Sequence, residues 1–230
     1  MTAPVPPALP DARLAAGAAR LAARHTGRFS VETVQALIAD SYGRLAVTAR
    51  VSTHLLVLAE RWTAERLDAL DHLRKRPRSE VPRVLFVCSH NAGRSQLAAA
   101  LLAHRACGLV RVSSAGTTPA AAVEPFVAQV LTEAGVEPSR AFPKPLTDEA
   151  VRAADVVVTM GCGDACPVFP GKKYLDWALE DPAGKGVGAV RPIRDQIKGR
   201  VETLITEIDN HEKETPAAAS SAASVPLPGR

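Results

Sequence analysis

The sequence predicts an α/β protein, a parallel four-stranded sheet flanked by helices, preceded by a small three-helix unit. Three observations carry that reading. After about residue 82, short apolar runs rich in β-formers alternate with helical segments, the order that a parallel sheet covered on both faces requires. Before it, apolar residues recur at helical spacing. At the first strand-to-helix junction a cysteine, a glycine, an arginine and a serine fall together, in Cys88-Ser89-His90-Asn91-Ala92-Gly93-Arg94-Ser95.

In chain order, residues 1–10 and 213–230, rich in Pro, Ala and Ser, read as disordered tails. Residues 11–74 form the three-helix unit. Asp11 to His25 places Leu14, Ala18, Leu21 and Ala22 on one face, and Gly27 ends that helix. Ser30 caps a second run with Val31, Val34, Leu37 and Ile38, and Ser52 opens a third with Leu55, Leu56, Ala59 and Trp62. Three helices of this size make a thin core, so the unit packs either on the catalytic domain or on its copy in another chain. The second option is a homodimer through the N-terminal helices. Residues 75–82, basic and proline-bearing, are the linker. The catalytic domain spans 83–212, with strands at Val84–Val87, Val110–Ser113, Val156–Thr159 and Lys173–Leu175. Its helices lie near Ser95–His104, Phe126–Ala134, Thr147–Ala153 and Ile193–Asn210.

At 230 residues and 47% hydrophobic, the chain can hold one sizeable core plus the helical unit. No apolar stretch approaches the ~18–20 residues that span a bilayer, and the N-terminus lacks the hydrophobic core of a signal peptide. The expectation is a cytoplasmic protein with no membrane partner. A DNA-binding helix-turn-helix is the sharper alternative for the helical unit. The net charge of +4 is spread through the chain and lies partly in the linker, so no nucleic-acid partner is expected. Four cysteines, two of them close together in a loop, suit a reducing compartment where disulfides form transiently. Cys107, near a helix end with no apparent partner, reads as a packing cysteine.

The chemistry concentrates in three loops. Residues Ser89, His90, Asn91, Ala92, Gly93, Arg94 and Ser95 lie where backbone N–H groups and a helix N-terminus make a concave site for a tetrahedral oxyanion. The same field favours thiolate, the nucleophilic form, at Cys88. A guanidinium at Arg94 clamps two anion oxygens in a geometry that lysine lacks. Gly93 permits a backbone that a Cβ would block, and Asn91 braces the loop. Ser95 either hydrogen-bonds the thiol or caps the helix. A buried structural cysteine is the plainer alternative, and the company of Gly93, Arg94 and Ser95 argues against it.

In the second loop, Val157-Val158-Thr159-Met160 runs into Gly161-Cys162-Gly163-Asp164-Ala165-Cys166. Two cysteines separated by three residues can meet as a disulfide once a glycine-rich backbone adjusts. Zinc needs four good ligands, and no second close Cys pair or His pair at finger spacing exists, so no metal site is expected. With Cys88 they make a thiol relay in which each thiolate attacks the sulfur oxidised before it. In the third, three carboxylates crowd Asp176 to Asp181, and Asp181, fixed by Pro182, is the candidate general acid.

Residues from about Pro82 to Ile208 resemble the thioredoxin-coupled arsenate reductases, which share the fold of low-molecular-weight tyrosine phosphatases. The resemblance rests on Val84-Leu85-Phe86-Val87-Cys88 with its five-residue gap to Arg94-Ser95-Gln96 and on Val112-Ser113-Ser114-Ala115-Gly116. It rests also on Val157 to Met160 before Cys162 and Cys166, and on Glu180-Asp181-Pro182-Ala183-Gly184. It implies arsenate as substrate, Cys88 as nucleophile, Arg94 as anion clamp, Asp181 as acid, and Cys162 and Cys166 as second and third thiols. Thioredoxin is the implied electron source, with no cofactor bound. Departures are informative. The gap between the last two cysteines is shorter than often found, and Ala99 stands where potassium-binding members carry a glutamate, so no potassium is expected. Ala183-Gly184 replace the aromatic residues that phosphatases place after the late Asp-Pro, which favours the reductase over the phosphatase reading. A non-catalytic oxyanion sensor is the third alternative.

Overall fold

The computed structural model describes residues 12–49, 54–75, 81–138 and 141–214. The expected tails, the Ser52 helix start and most of the expected linker lie outside the described residues, apart from 213 and 214 at the end of the last helix. Helices α1 (Ala12–Arg24), α2 (Val31–Ala46) and α3 (Leu55–Lys75) come first, followed by β1 (Arg83–Cys88), α4 (Arg94–Ala106), β2 (Arg111–Gly116) and α5 (Pro125–Glu133). Then come α6 (Asp148–Ala153), β3 (Val156–Met160), β4 (Lys173–Asp176) and α7 (Val187–Glu214).

All strand pairs are parallel, in the order β2-β1-β3-β4. The register sets Cys88 opposite Gly116 on one side and Met160 on the other, so the nucleophile candidate ends a central strand. Alternation along β1 explains both layers. Val84, Phe86 and Cys88 enter the core that α4, α5 and α7 cover, whereas Leu85 and Val87 enter a second core with Val151, Val157, Cys162 and Cys166. Strand β2 runs on to Gly116 rather than stopping at Ser113, because every residue from Arg111 to Gly116 has a partner on β1. The expected start of the last helix at Ile193 is corrected to Val187. Pro192 lacks one N–H, but Ala189 and Val190 anchor the turn before it by donating to the Gly186 carbonyl at 3.0 and 3.3 Å.

Ser30 caps α2, its hydroxyl accepting from the Thr33 N–H at 3.2 Å, and Thr147 caps α6 in the same way. The core of the helical unit contains Leu14, Leu21, Val34, Ile38, Trp62 and Leu67, and it also takes in Phe142 from the α/β domain. Helix α3 packs on α6. Arg66 joins Glu149 at 2.6 Å, Lys144 joins Glu65 at 3.0 Å and Arg83 joins Asp68 at 2.9 Å. Of the two packing options, the chain shows the helices on their own catalytic domain. Among the described residues, no helix is long and apolar enough to cross a membrane.

Candidate active site

Residues 89–93 turn the chain from β1 into α4 around the sulfur of Cys88. The loop carbonyls are taken up outside it. Those of Cys88, Ser89, His90 and Ala92 accept from the N–H groups of Thr117, Thr118, Ala120 and Glu124 at 3.3, 2.8, 2.9 and 3.0 Å. With the carbonyls held outward, N–H groups are left for the inner side, and that of Asn91 donates to Cys88 Sγ at 3.2 Å. Cys88 is buried, His90 is exposed and Ala92 is buried. Ser89 donates its hydroxyl to the Gly161 carbonyl at 3.0 Å, which ties the cup to the loop after β3.

The left-handed residue of the cup is Asn91, with φ +47°, and not Gly93. Its side chain explains the tolerance. Nδ2 donates to Ser95 Oγ at 2.8 Å, while Oδ1 accepts from Gln96 Nε2 at 3.1 Å and from the Lys144 N–H at 3.0 Å. Ser95 Oγ lies 3.0 Å from Cys88 Sγ. Because Oγ accepts from Asn91, its own hydrogen is left for the sulfur. Gly93, the residue before α4, takes the N-cap place and makes no side-chain bond, so the hydroxyl of Ser95 is not a cap. Gly93 lies at φ −127° and ψ −96°, outside the α and β regions, and it must also be small because a Cβ there would stand 2.5 Å from Pro182 Cγ.

Arg94 is buried and reaches across the cup to Asp181, Nη2 to Oδ2 at 2.6 Å, with Nη1 donating to the Leu179 carbonyl at 3.4 Å. Gly161, at φ +70°, makes room for it, since a Cβ would meet Arg94 Nη1 at 2.7 Å. Asp181 is half exposed and receives the Ala183 N–H at 3.0 Å on its other oxygen. A cavity of about 10 Å³ lies between Cys88, Glu124, Arg94 and Asp181. That is room for about one water, and the Arg94–Asp181 pair lies along one side of it.

Cys162 and Cys166 sit at the other side of the sheet's carboxyl edge, buried against Leu85, Val87 and Val157. A short 3-10 turn, Gly163–Ala165, separates them, and all the cysteines are free thiols. Burial pushes the Cys162 thiol above its ordinary pKa, and the charge of nearby Cys88 pushes it further, against hydrogen bonds from its own backbone and that of Met160. Burial raises Cys166 to about 11, with Cys162 adding to the rise. Cys107 is a correction. It is exposed, at φ +47°, and closes α4 in the left-handed position that glycine usually takes, so it packs nothing. Among the described residues, no group of three or more His, Cys, Asp or Glu is placed to hold a metal ion.

In the sequence, Gln96 stands only within the Arg94-Ser95-Gln96 motif with no role assigned, and Phe142 and Lys144 are not singled out. Gln96 Nε2 donates to the carbonyls of Asn91 and Phe142, at 2.9 and 2.8 Å, and is fully inside the protein. The signal was available in Phe142-Pro143-Lys144-Pro145, where two prolines hold an extended backbone. Arg61 and Lys144 lie over the Phe142 ring, at 5.0 and 4.5 Å. The helical unit therefore touches the segment that holds Asn91.

Comparison with known proteins agrees with this geometry. Residues 83–214 match the low molecular weight phosphotyrosine protein phosphatase family, and residues 14–71 match the protein-tyrosine-phosphatase-like N-terminal domain. The chain belongs to the low molecular weight phosphotyrosine protein phosphatase family. Within it, the chain stands with the arsenate reductases. A thioredoxin-dependent arsenate reductase of Corynebacterium glutamicum is 48% identical, with TM-score 0.78, over 86% of this chain and 97% of that one, a span that reaches into the N-terminal helices. The glutaredoxin arsenate reductase of Synechocystis is 33% identical over 55% of this chain and 98% of its own length. Arsenate reductase 1 of Staphylococcus epidermidis is 32% identical over 53% of this chain and 93% of its own.

Proposed function

We propose that this chain reduces arsenate to arsenite through Cys88, Cys162 and Cys166, and that thioredoxin recycles it. The observation that carries the proposal is one oxyanion cup and two further free thiols at the carboxyl ends of adjacent strands. Arsenate displaces Asp181 from Arg94 and takes the guanidinium and the loop N–H groups as its partners. Negative charge then lies beside Asp181, and like charge at short range favours the protonated acid. Cys88 thiolate attacks arsenic, a sulfur–arsenic bond forms, and the departing oxygen leaves as water with the proton of Asp181. Ser95 and the Asn91 N–H, both in contact with the sulfur, steady its charge before attack.

Cys162 thiolate next attacks Cys88. A disulfide forms, the sulfur–arsenic bond breaks, and its electron pair reduces arsenic from the +5 to the +3 state, so arsenite departs. Cys166 thiolate attacks Cys162 and returns Cys88 as thiolate. The Cys162–Cys166 disulfide then passes to an external dithiol, so no bound cofactor is required. A reducing cytoplasm suits free thiols of this kind. A homodimer through the outer face of the helical unit is a further partner reading, which light scattering tests.

A phosphatase uses Cys88, Arg94 and Asp181 but leaves Cys162 and Cys166 without a task. The deciding assay couples thioredoxin and its reductase to NADPH. NADPH is consumed when arsenate is added and not without it; fast aryl phosphate hydrolysis with no arsenate-dependent consumption contradicts the proposal.

A further inference from the structure

Phe142 belongs to the catalytic domain by sequence, yet it is 4% exposed and lies in the core of the helical unit. Helix α3 grips it. Arg61 stands over the ring at 5.0 Å, and Lys144, over the same ring at 4.5 Å, is buried and joins Glu65 of α3 at 3.0 Å. The segment between these anchors is also held from the sheet. Gly116, the last residue of β2, donates to the Lys144 carbonyl at 2.9 Å and accepts from the Leu146 N–H at 2.8 Å.

Two backbone groups of this segment are turned toward the nucleophile loop. The Phe142 carbonyl accepts from Gln96 Nε2 at 2.8 Å, and the Lys144 N–H donates to Asn91 Oδ1 at 3.0 Å. Gln96 links them, because its Nε2 also donates to the Asn91 carbonyl at 2.9 Å and to Asn91 Oδ1 at 3.1 Å. Asn91 needs such support. Its φ of +47° is a conformation that a residue with a Cβ keeps where its surroundings impose it. Asn91 then governs both donors at the sulfur: its own N–H, 3.2 Å from Cys88 Sγ, and the Ser95 hydroxyl, which it orients through Nδ2 at 2.8 Å. Asn91, Ser95 and Gln96 are all buried, so these bonds form a closed network in which a shift at one member is passed to the next.

We propose that the helical unit is a positioning element of the active site: α3 sets Phe142 and Lys144, these set Gln96 and Asn91, and Asn91 sets the donors on the Cys88 sulfur. Gln96, Phe142 and Lys144 act through Asn91 and are positioning residues. The proposal rests on Cys88 as the nucleophile, but its test reads the sulfur directly, so loss of the arsenate reaction and loss of this coupling are separate results.

The test is the pH profile of Cys88 alkylation by iodoacetamide in the full chain, with the modified peptide identified by mass spectrometry. Phe142→Ala empties the anchor, and the midpoint of the profile rises by about one unit, a tenfold loss of thiolate below it. Phe142→Leu, which keeps an apolar plug, restores most of that. Added to Gln96→Met, Phe142→Ala has less than about half its single effect, since both cut the same chain of contacts. Glu65→Ala changes an exposed residue and leaves the core alone, so it decides the matter if Phe142→Ala does not fold. Loss of that carboxylate by its charge alone favours thiolate and lowers the midpoint, whereas freeing Lys144 raises it, by about 0.3–0.5 unit. The titratable and charged groups near the sulfur, His90, Arg94, Glu124, Asp181 and Cys162, are the same in every variant. A raised midpoint in Phe142→Ala and Glu65→Ala supports the proposal. A lower melting temperature with an unmoved midpoint, an unmoved or lower midpoint in Glu65→Ala, or full additivity of Phe142→Ala with Gln96→Met would overturn it.

Discussion

Two loops leave the carboxyl ends of adjacent parallel strands, and they treat their thiols in opposite ways. The loop after β1 surrounds Cys88 with donors: the Asn91 N–H, the Ser95 hydroxyl and, across the cup, Arg94. The loop after β3 packs Cys162 and Cys166 against aliphatic side chains, and burial raises both thiols above the ordinary range. Strand position alone therefore does not make a reactive cysteine. What differs is the company: hydrogen-bond donors meet the sulfur at the first loop, whereas apolar packing at the second favours the neutral thiol. Gly161 and Gly163, at φ +70° and +56°, mark where that loop already departs from ordinary backbone.

The comparison breaks most visibly at Cys88. Cys88→Ser abolishes arsenate reduction and leaves the fold unchanged, as judged by circular dichroism; activity at the wild-type level means that the polar loop does not carry the nucleophile. Asp181→Asn keeps the Arg94 contact but removes the transferable proton, and the rate of adduct formation falls roughly 10²–10⁴-fold. Rapid-quench measurement of that step checks it.

The difference in burial gives a pH test. Because Cys162 and Cys166 are raised, each gains thiolate as pH rises toward its elevated pKa. The rate of disulfide transfer in a single turnover therefore climbs about tenfold per pH unit between neutral pH and that range. A flat profile shows that the loop opens before it reacts and that burial does not govern the step. A smaller effect falls at the seam of the two loops. Gly161→Ala puts a methyl against Arg94 and forces a side chain into positive φ, so KM for arsenate rises about tenfold with a lesser change in kcat.

Much of this was legible in the sequence because it is local. The apolar run of β1, the Ser30 cap and the crowding of Cys88 with Arg94 and Ser95 depend on neighbours within a few positions. The rest depends on contacts that only the folded chain supplies. Gln96 meets Phe142, and Lys144 meets Asn91, across separations of 46 and 53 residues, which no periodicity reports. Gly93 does have an unusual backbone, φ −127° and ψ −96°, but the second reason it must be small, the approach of Pro182 from a loop far along the chain, shows only in the fold. Cys107 misled for the converse reason. Buried thiols are common, and nothing in the local sequence showed that this one would close a helix in the open.

The central claim is the division of labour between the two loops, and disulfide mapping of Cys166→Ala tests it most directly. After one equivalent of arsenate, peptide mass spectrometry under non-reducing conditions should find Cys88 joined to Cys162 in the variant, with turnover stopped. The unaltered protein should hold Cys162 joined to Cys166. A free Cys162 in the variant, or Cys107 in the main disulfide of either protein, would contradict the account.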